Sequence, residues 1–389
     1  MRASAEQKAE LVLAGLCCFC AGGLYGWSAL ISAIQEPFGV STAQIGLIFS
    51  FAVLAFTAAV LVAPYLPPTL KGLSGGGIFG LCGALLLALS ATASAYIYFV
   101  VTFSLGFGAV SGFIYINTLD LAARSQHPKL LSPIMVATFG MGGVVFGPAW
   151  RLMIAQGWGL KALWLLSVLL GAVSILSILT ARKTSEKRND DPQAIQSQVE
   201  STLSPTHAGV YVWLIFALGS VGGLMVLGLA SKILDDAGGS VALTSIALGC
   251  IAVGNTTGRL SVAGFNSRLN PLTTTIIATL TTGLGLIVTA MSSHAVFVAV
   301  GLSLVALGYG ITASAIPSLT RQLFGEARFF RAFAVIFTAW AAAGLLGPWM
   351  SGAIFDQTGG FGGAILAALT MTAGAVLTVL LLRMAIRRA

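Results

Sequence analysis

Charge is what this sequence has least of. Asp, Glu, Lys and Arg together make up 8% of its 389 residues, where an ordinary soluble domain carries about a quarter. That scarcity excludes a water-soluble globular domain of common composition. Histidine is nearly missing as well, at 3 residues, and the 5 cysteines form no metal-ligand spacing. Cys17, Cys18, Cys20, Cys82 and Cys250 all fall in apolar runs, so neither a zinc or haem site nor a disulfide framework is expected, and no cofactor is called for. A phosphate-binding GxxxxGK[ST] loop does not occur. ATP hydrolysis therefore has no support, and the chain does not read as an enzyme.

What the sequence does have is apolar length. Hydrophobic residues reach 57%, mean hydropathy is +0.94, and the 47 glycines suit close packing between membrane helices. Each crossing takes about 20 apolar residues. On that measure the first half reads as spans over 11–34, 41–66, 73–93, 95–122, 130–153 and 160–180. The second half reads as spans over 209–233, 241–264, 272–291, 294–318, 329–354 and 361–383. The first of these is too long for the apolar core of a secretory signal and reads as a span. The expected architecture is an all-α membrane protein of 12 transmembrane helices in two six-helix bundles, 1–180 and 209–389. A polar linker, 181–208, joins them.

The few charges sort by side. If both termini face the cytoplasm, 16 of the 20 Lys and Arg residues lie in inner segments, and only Lys161 and Lys232 lie in outer ones. This is a strong positive-inside signal, and one missed span would scramble it. The net charge of +8 is thereby explained by topology, with no nucleic-acid partner implied.

The two remaining cations, Arg151 and Arg259, sit within spans. An ionised group in hydrocarbon faces a protein interior or an aqueous cavity. Arg151 lies near the outer end of span 5 beside Trp150. Both a headgroup-seeking side chain and a mouth residue that steers anions fit that place. Arg259 is deeper, in the span 8 segment GNTTGR, Gly254 to Arg259. Its planar fork suits both oxygens of a carboxylate. Asn255, one turn earlier on the same face, is placed to orient the guanidinium or the cargo. Aromatic and polar residues on other spans are candidates to enclose a small anion: Tyr25 and Trp27 in span 1, Tyr115 and Asn117 in span 4, and Tyr309 in span 10. A further echo links the halves: FGMGGVVFGPAW in span 5 and WAAAGLLGPWMSG in span 11 are both rich in small residues and carry Gly-Pro.

Three blocks carry a family resemblance: YGWSALISAIQEPFGVSTAQIG from Tyr25 to Gly46, GNTTGR in span 8, and FTAWAAAGLLGPWMSGAIFDQTGGF from Phe337 to Phe361. On these the chain resembles the major facilitator superfamily, specifically its oxalate/formate antiporter family, related to monocarboxylate transporters. The resemblance implies two halves rocking about a midplane site, a monomer in the inner membrane of a bacterium, and Arg259 as the carboxylate ligand. Departures from the pattern inform the cargo. Animal monocarboxylate transporters place an aspartate where this chain has Asn255, so no acid stands beside Arg259 to relay a proton. Oxalate-specific members carry a lysine where this chain has Trp340. One cation balances one negative charge better than two, so the expected cargo is a monocarboxylate of the lactate, pyruvate or formate class. Trp340 would supply an apolar wall and an indole donor. Both proton symport and anion exchange stay open, with Asp120 the acid available for the former. The superfamily's usual Asp-Arg latch between spans 2 and 3 is reduced here to Lys71 and Gly72, and after span 8 to Asn266 and Arg268. An antiporter of oxalate/formate type or of another organic anion is the alternative. A membrane sensor that binds an anion without moving it lacks a signalling domain.

Overall fold

The computed structural model describes residues 2–125, 128–185, 205–265 and 269–388. His127, Asn266, Arg268 and most of the 181–208 linker lie outside the described residues. Within them every regular element is helical. Among the described residues, eleven helices are long and apolar enough to cross a membrane: Gln7–Phe38, Thr42–Tyr65, Gly72–Ala91, Tyr96–Ala122, Gly159–Ala181, His207–Asp236, Val241–Val262, Pro271–Ala290, Ala295–Gly325, Ala332–Thr358 and Gly362–Arg387. The helix Pro128–Ala155 occupies the place of span 5 and completes the set. Spans are numbered in this order below.

Two compact units form. One comprises Met1–Val40 with Phe51–Pro192, the other Ser41–Ser50 with Gln193–Ala389. The first ten residues of the span 2 region thus cluster with the second unit.

Span 1 is not the uniform α-helix its apolar run suggests. It is α-helical to Ala21, takes 3-10 geometry over Gly22–Leu30, and resumes as an α-helix over Ile31–Phe38. Gly22, Gly23 and Gly26 weaken the α form locally, and their missing side chains are used by span 5. A Cβ on Gly22 would strike the Phe139 carbonyl, and one on Gly26 would lie 2.7 Å from the Gly147 backbone nitrogen. From the other side, a Cβ on Gly142 would strike the Phe19 carbonyl. The glycines of FGMGGVVFGPAW therefore serve contact between backbones, the close approach that small residues permit between membrane helices. Span 4 contains a π-helical stretch, Val100–Phe107, whose Phe103 packs at 5.8 Å from the Trp27 ring.

In the second unit, spans 10 and 11 extend beyond the apolar limits and meet without a loop. Helix runs from Ala295 to Thr358, broken at Gly325 with φ 70° and ψ 169°, a conformation open essentially to glycine alone. Polar residues between the spans continue the helix because helical geometry needs no apolar environment. There Arg321 lies 4.3 Å from the centre of the Phe329 ring.

Arg151 is buried, 8% exposed. A side chain reaching outward for headgroups would not be, so that reading is set aside.

Candidate functional site

The site of the second unit is built on glycine. Gly254 and Gly258 are four residues apart and share one stripe of span 8. A Cβ on Gly254 would come within 2.7 Å of the Ser303 carbonyl oxygen, and one on Gly258 would strike the Leu307 carbonyl. Span 10 replies with Gly310, whose Cβ would strike the Asn255 carbonyl. Spans 8 and 10 therefore run backbone against backbone. Asn255 and Arg259 each follow one of the span 8 glycines, so this contact carries both into the protein interior.

Both are buried, Asn255 completely and Arg259 to 3% exposure. Arg259 Nε donates to Asn255 Oδ1 at 3.3 Å. The guanidinium carbon lies 5.9 Å from the Tyr309 ring centre, within the range where a cation is attracted by a ring face. Tyr309 is itself fully buried, and its ring fills the space over Gly223 of span 7, where a Cβ would collide with it. Its hydroxyl accepts from Trp340 Nε1 at 2.6 Å. Trp340 stacks on Phe337 at 5.3 Å, and Phe337 lies 6.4 Å from Phe216 of span 7. Four spans thus converge on one arginine in an aromatic setting.

The hydrogen bonds state what this group still needs. Because an arginine only donates, the Asn255 oxygen must be the atom facing it. Its amide nitrogen, Nδ2, is then a buried donor, and it has no hydrogen-bond partner among the described residues. A buried donor without an acceptor is costly and calls for an explanation. An acceptor beside a guanidinium is most favourable when anionic. The arrangement is chemically suited to an anion with at least two oxygens.

Of the residues singled out from sequence, the structure brings together Arg259, Asn255, Tyr309 and Trp340. The expected indole donor of Trp340 is engaged by Tyr309. Tyr25 and Tyr115 belong to the first unit, where they flank Phe139 at 4.9 and 5.5 Å, and Phe56 packs on Tyr115 at 5.4 Å. Asn117 is not part of that cluster's hydrogen bonding. Its amide donates to the Phe113 carbonyl at 3.0 Å and the Leu70 carbonyl at 3.4 Å, pinning the segment between spans 2 and 3. Asp120 pairs with Arg124 at 3.0 Å on an accessible helix end. Sequence reasoning quoted Gly254, Gly258 and Phe337 only as members of the resemblance blocks, gave none of them a role in the site, and did not pick out Gly223, Gly310 or Phe216. The four-residue spacing of Gly254 and Gly258 was the available signal, since it is a common helix-contact pattern in membranes.

Comparison with known proteins agrees with this architecture. The family model described as Major Facilitator Superfamily matches residues 11–348. A solved structure described as a bacterial homolog to the human lysosomal transporter Spinster, in an inward-facing and occupied conformation, aligns with a TM-score of 0.65. It does so at 14% identity, over 95% of this chain and 96% of that one, which supports the shared fold alone. No curated protein sequence matches the chain. With the family matched over most of its length, this chain belongs to the Major Facilitator Superfamily.

Proposed function

We propose that this protein is a secondary transporter of small monocarboxylates, of the lactate, pyruvate or formate class, with Arg259 as the carboxylate ligand. Membership of a family of carriers supports transport as the activity and gives no reason to expect catalysis. The observation that carries the cargo class is the orphan Asn255 Nδ2 beside the buried Arg259. One guanidinium and one amide donor match one carboxylate. A dicarboxylate would bring a second charge to a group whose other members, Tyr309 and Trp340, are neutral.

In this reading Arg259 grips the carboxylate, Asn255 holds the guanidinium and adds a donor, and Tyr309 with Trp340 bounds the apolar part of the cargo. Tyr25 and Tyr115 are carried forward as aromatic candidates of the first unit. Asn117 is read as a structural residue. Transport would follow alternating access, by proton symport or by exchange of one anion for another. Asn255 stands where an acid would relay a proton, and Asp120 is paired with Arg124, which weighs toward exchange. The positive-inside bias supports an orientation with both termini in the cytoplasm of a bacterial cell. The three sequence blocks support placement near the oxalate/formate antiporters.

Uptake into proteoliposomes tests this. Radiolabelled lactate, pyruvate, formate and oxalate are offered with and without a pH gradient, and with each unlabelled acid inside. Accumulation or exchange of a monocarboxylate is expected, with oxalate poorly taken. Failure of every monocarboxylate to enter would overturn the reading. Stimulation by outside acid without internal anion would assign symport in place of exchange.

A further inference from the structure

The wall that span 7 gives to the site carries a hydroxyl as well as apolar groups. Phe216, Ser220 and Gly223 lie four and three residues apart in the helix Pro205–Asp236, so they share one face. What that face meets is fixed at both of its ends. The Phe216 ring lies 6.4 Å from Phe337, and the Tyr309 ring fills the space over Gly223. Trp340 joins these two, stacking on Phe337 and donating to the Tyr309 hydroxyl. Ser220 sits between, one turn from each contact. It therefore looks toward the same aromatic group that faces Arg259.

Ser220 is fully buried, and its hydroxyl has no hydrogen-bond partner among the described residues. Buried hydroxyls elsewhere in this unit return to the carbonyl four residues back. Thr282 bonds the Ala278 carbonyl at 3.1 Å, Thr289 the Gly285 carbonyl at 2.8 Å, and Thr312 the Gly308 carbonyl at 3.0 Å. That local bond offsets the cost of taking a hydroxyl out of water. Ser220 has the Phe216 carbonyl at the same spacing and does not use it. Within the described part of the second unit, Ser351 is the other fully buried serine whose hydroxyl is left this way. Ser351 lies about three turns beyond Trp340 along span 11, so of the two only Ser220 is on a face whose contacts are those of the site. A buried polar atom left over there calls for a ligand oxygen.

We propose that Ser220 is a specificity-determining residue that meets an oxygen on the second carbon of the cargo, so that 2-hydroxy and 2-oxo acids are selected over unsubstituted ones. This rests on the reading of Arg259 and Asn255 as the carboxylate ligands. With the carboxylate held there, the next atom of the cargo is its second carbon. A hydroxyl side chain both donates and accepts. Ser220 therefore donates to the keto oxygen of pyruvate and accepts from the hydroxyl of lactate. Propionate has the carbon skeleton and carboxylate of lactate but no oxygen at that carbon, and it leaves Ser220 as unsatisfied as before. A site built to hydrogen-bond an oxygen rejects the analogue that lacks it, because its own buried group then stays unpaired. Arg259 and Asn255 alone do not draw this distinction, since the two acids present them with the same carboxylate.

The test competes uptake of radiolabelled lactate into proteoliposomes with unlabelled lactate, pyruvate and propionate, and follows entry of labelled formate alongside. Lactate and pyruvate are expected to half-inhibit at concentrations at least fivefold below that of propionate. In Ser220→Ala the preference should shrink to within about twofold, with propionate competing as before. The melting temperature of this variant should be unchanged or higher, because no hydrogen bond within the protein is removed. Ser351→Ala, the control, should keep the preference. Propionate competing as well as lactate in the unaltered protein overturns the inference, as does a preference that survives in Ser220→Ala. Equal weakening of all three acids in that variant also overturns it, since Ser220 would then act on the site as a whole. Entry of formate without lactate defeats this inference alone. Failure of every one of these acids to enter defeats the carboxylate reading and this inference with it.

Discussion

Trp340 donates its indole N–H to the Tyr309 hydroxyl at 2.6 Å, and the other face of the relationship is that Arg259 lies 5.9 Å from the Tyr309 ring centre. One tyrosine therefore couples the cation of span 8 to the tryptophan of span 11. In the proposed reading, Trp340 would act on the cargo through Tyr309 as well as by its own surface.

That coupling predicts the effect of Trp340→Phe. The ring is kept and the donor is lost, leaving a buried hydroxyl without its short partner. Removing one partner of a buried hydrogen bond costs about 1–3 kcal/mol. A fall in carboxylate affinity of roughly fivefold or more is expected, read as KM in proteoliposome uptake, with thermal stability changed by a few degrees at most. An unchanged KM would detach Tyr309 from the site.

Arg259→Lys keeps a charge but loses the fork that meets two oxygens at once. Affinity should drop at least tenfold, about 1.4 kcal/mol, while the protein still purifies in folded form. Full uptake by this variant would remove Arg259 from the proposed role.

Trp340→Lys adds a second cation beside the first. Selectivity is expected to move toward oxalate over lactate, measured as the ratio of initial uptake rates in competition. The same ratio before and after would show that position 340 does not face the cargo.

The span 8 glycines can be tested against one another. Gly258→Val forces a side chain into the Leu307 carbonyl, and overpacking of this kind costs about 1–3 kcal/mol. Loss of thermal stability and of uptake together is expected. Gly264, later in the same helix, has nothing within 4 Å of an added Cβ, so Gly264→Ala should be neutral or slightly stabilising. Equal effects at the two positions would deny the close contact its role in placing Arg259.

Asn117→Ala separates a structural amide from a cargo ligand. Its bonds to the Phe113 and Leu70 carbonyls predict a lower melting temperature with KM unchanged. A raised KM at constant stability would return Asn117 to the site.

Composition and spacing alone determined a good deal. Scarce charge and long apolar runs fixed a helical membrane protein, because in lipid the backbone must satisfy itself in a helix or a closed barrel and runs of about 20 apolar residues fit only the helix. The cost of a buried cation singled out Arg259, and one helical turn placed Asn255 on its face. These features are local, written in a residue and its near neighbours. The 3-10 stretch after Gly22, the turn from span 10 into span 11 at Gly325, and the pairing of Trp340 with Tyr309 were not legible. A glycine in sequence does not say which backbone will come against it, and an aromatic residue does not name the hydroxyl it will meet. Asp356 shows the difference most plainly. In sequence it is one acid near the end of an apolar run, and only the fold brings it to the N–H groups of Thr42 and Ala43, more than three hundred residues away. Burial cost is a property of a single residue and can be read along the chain, whereas a hydrogen bond needs two groups whose meeting the packing of helices alone decides.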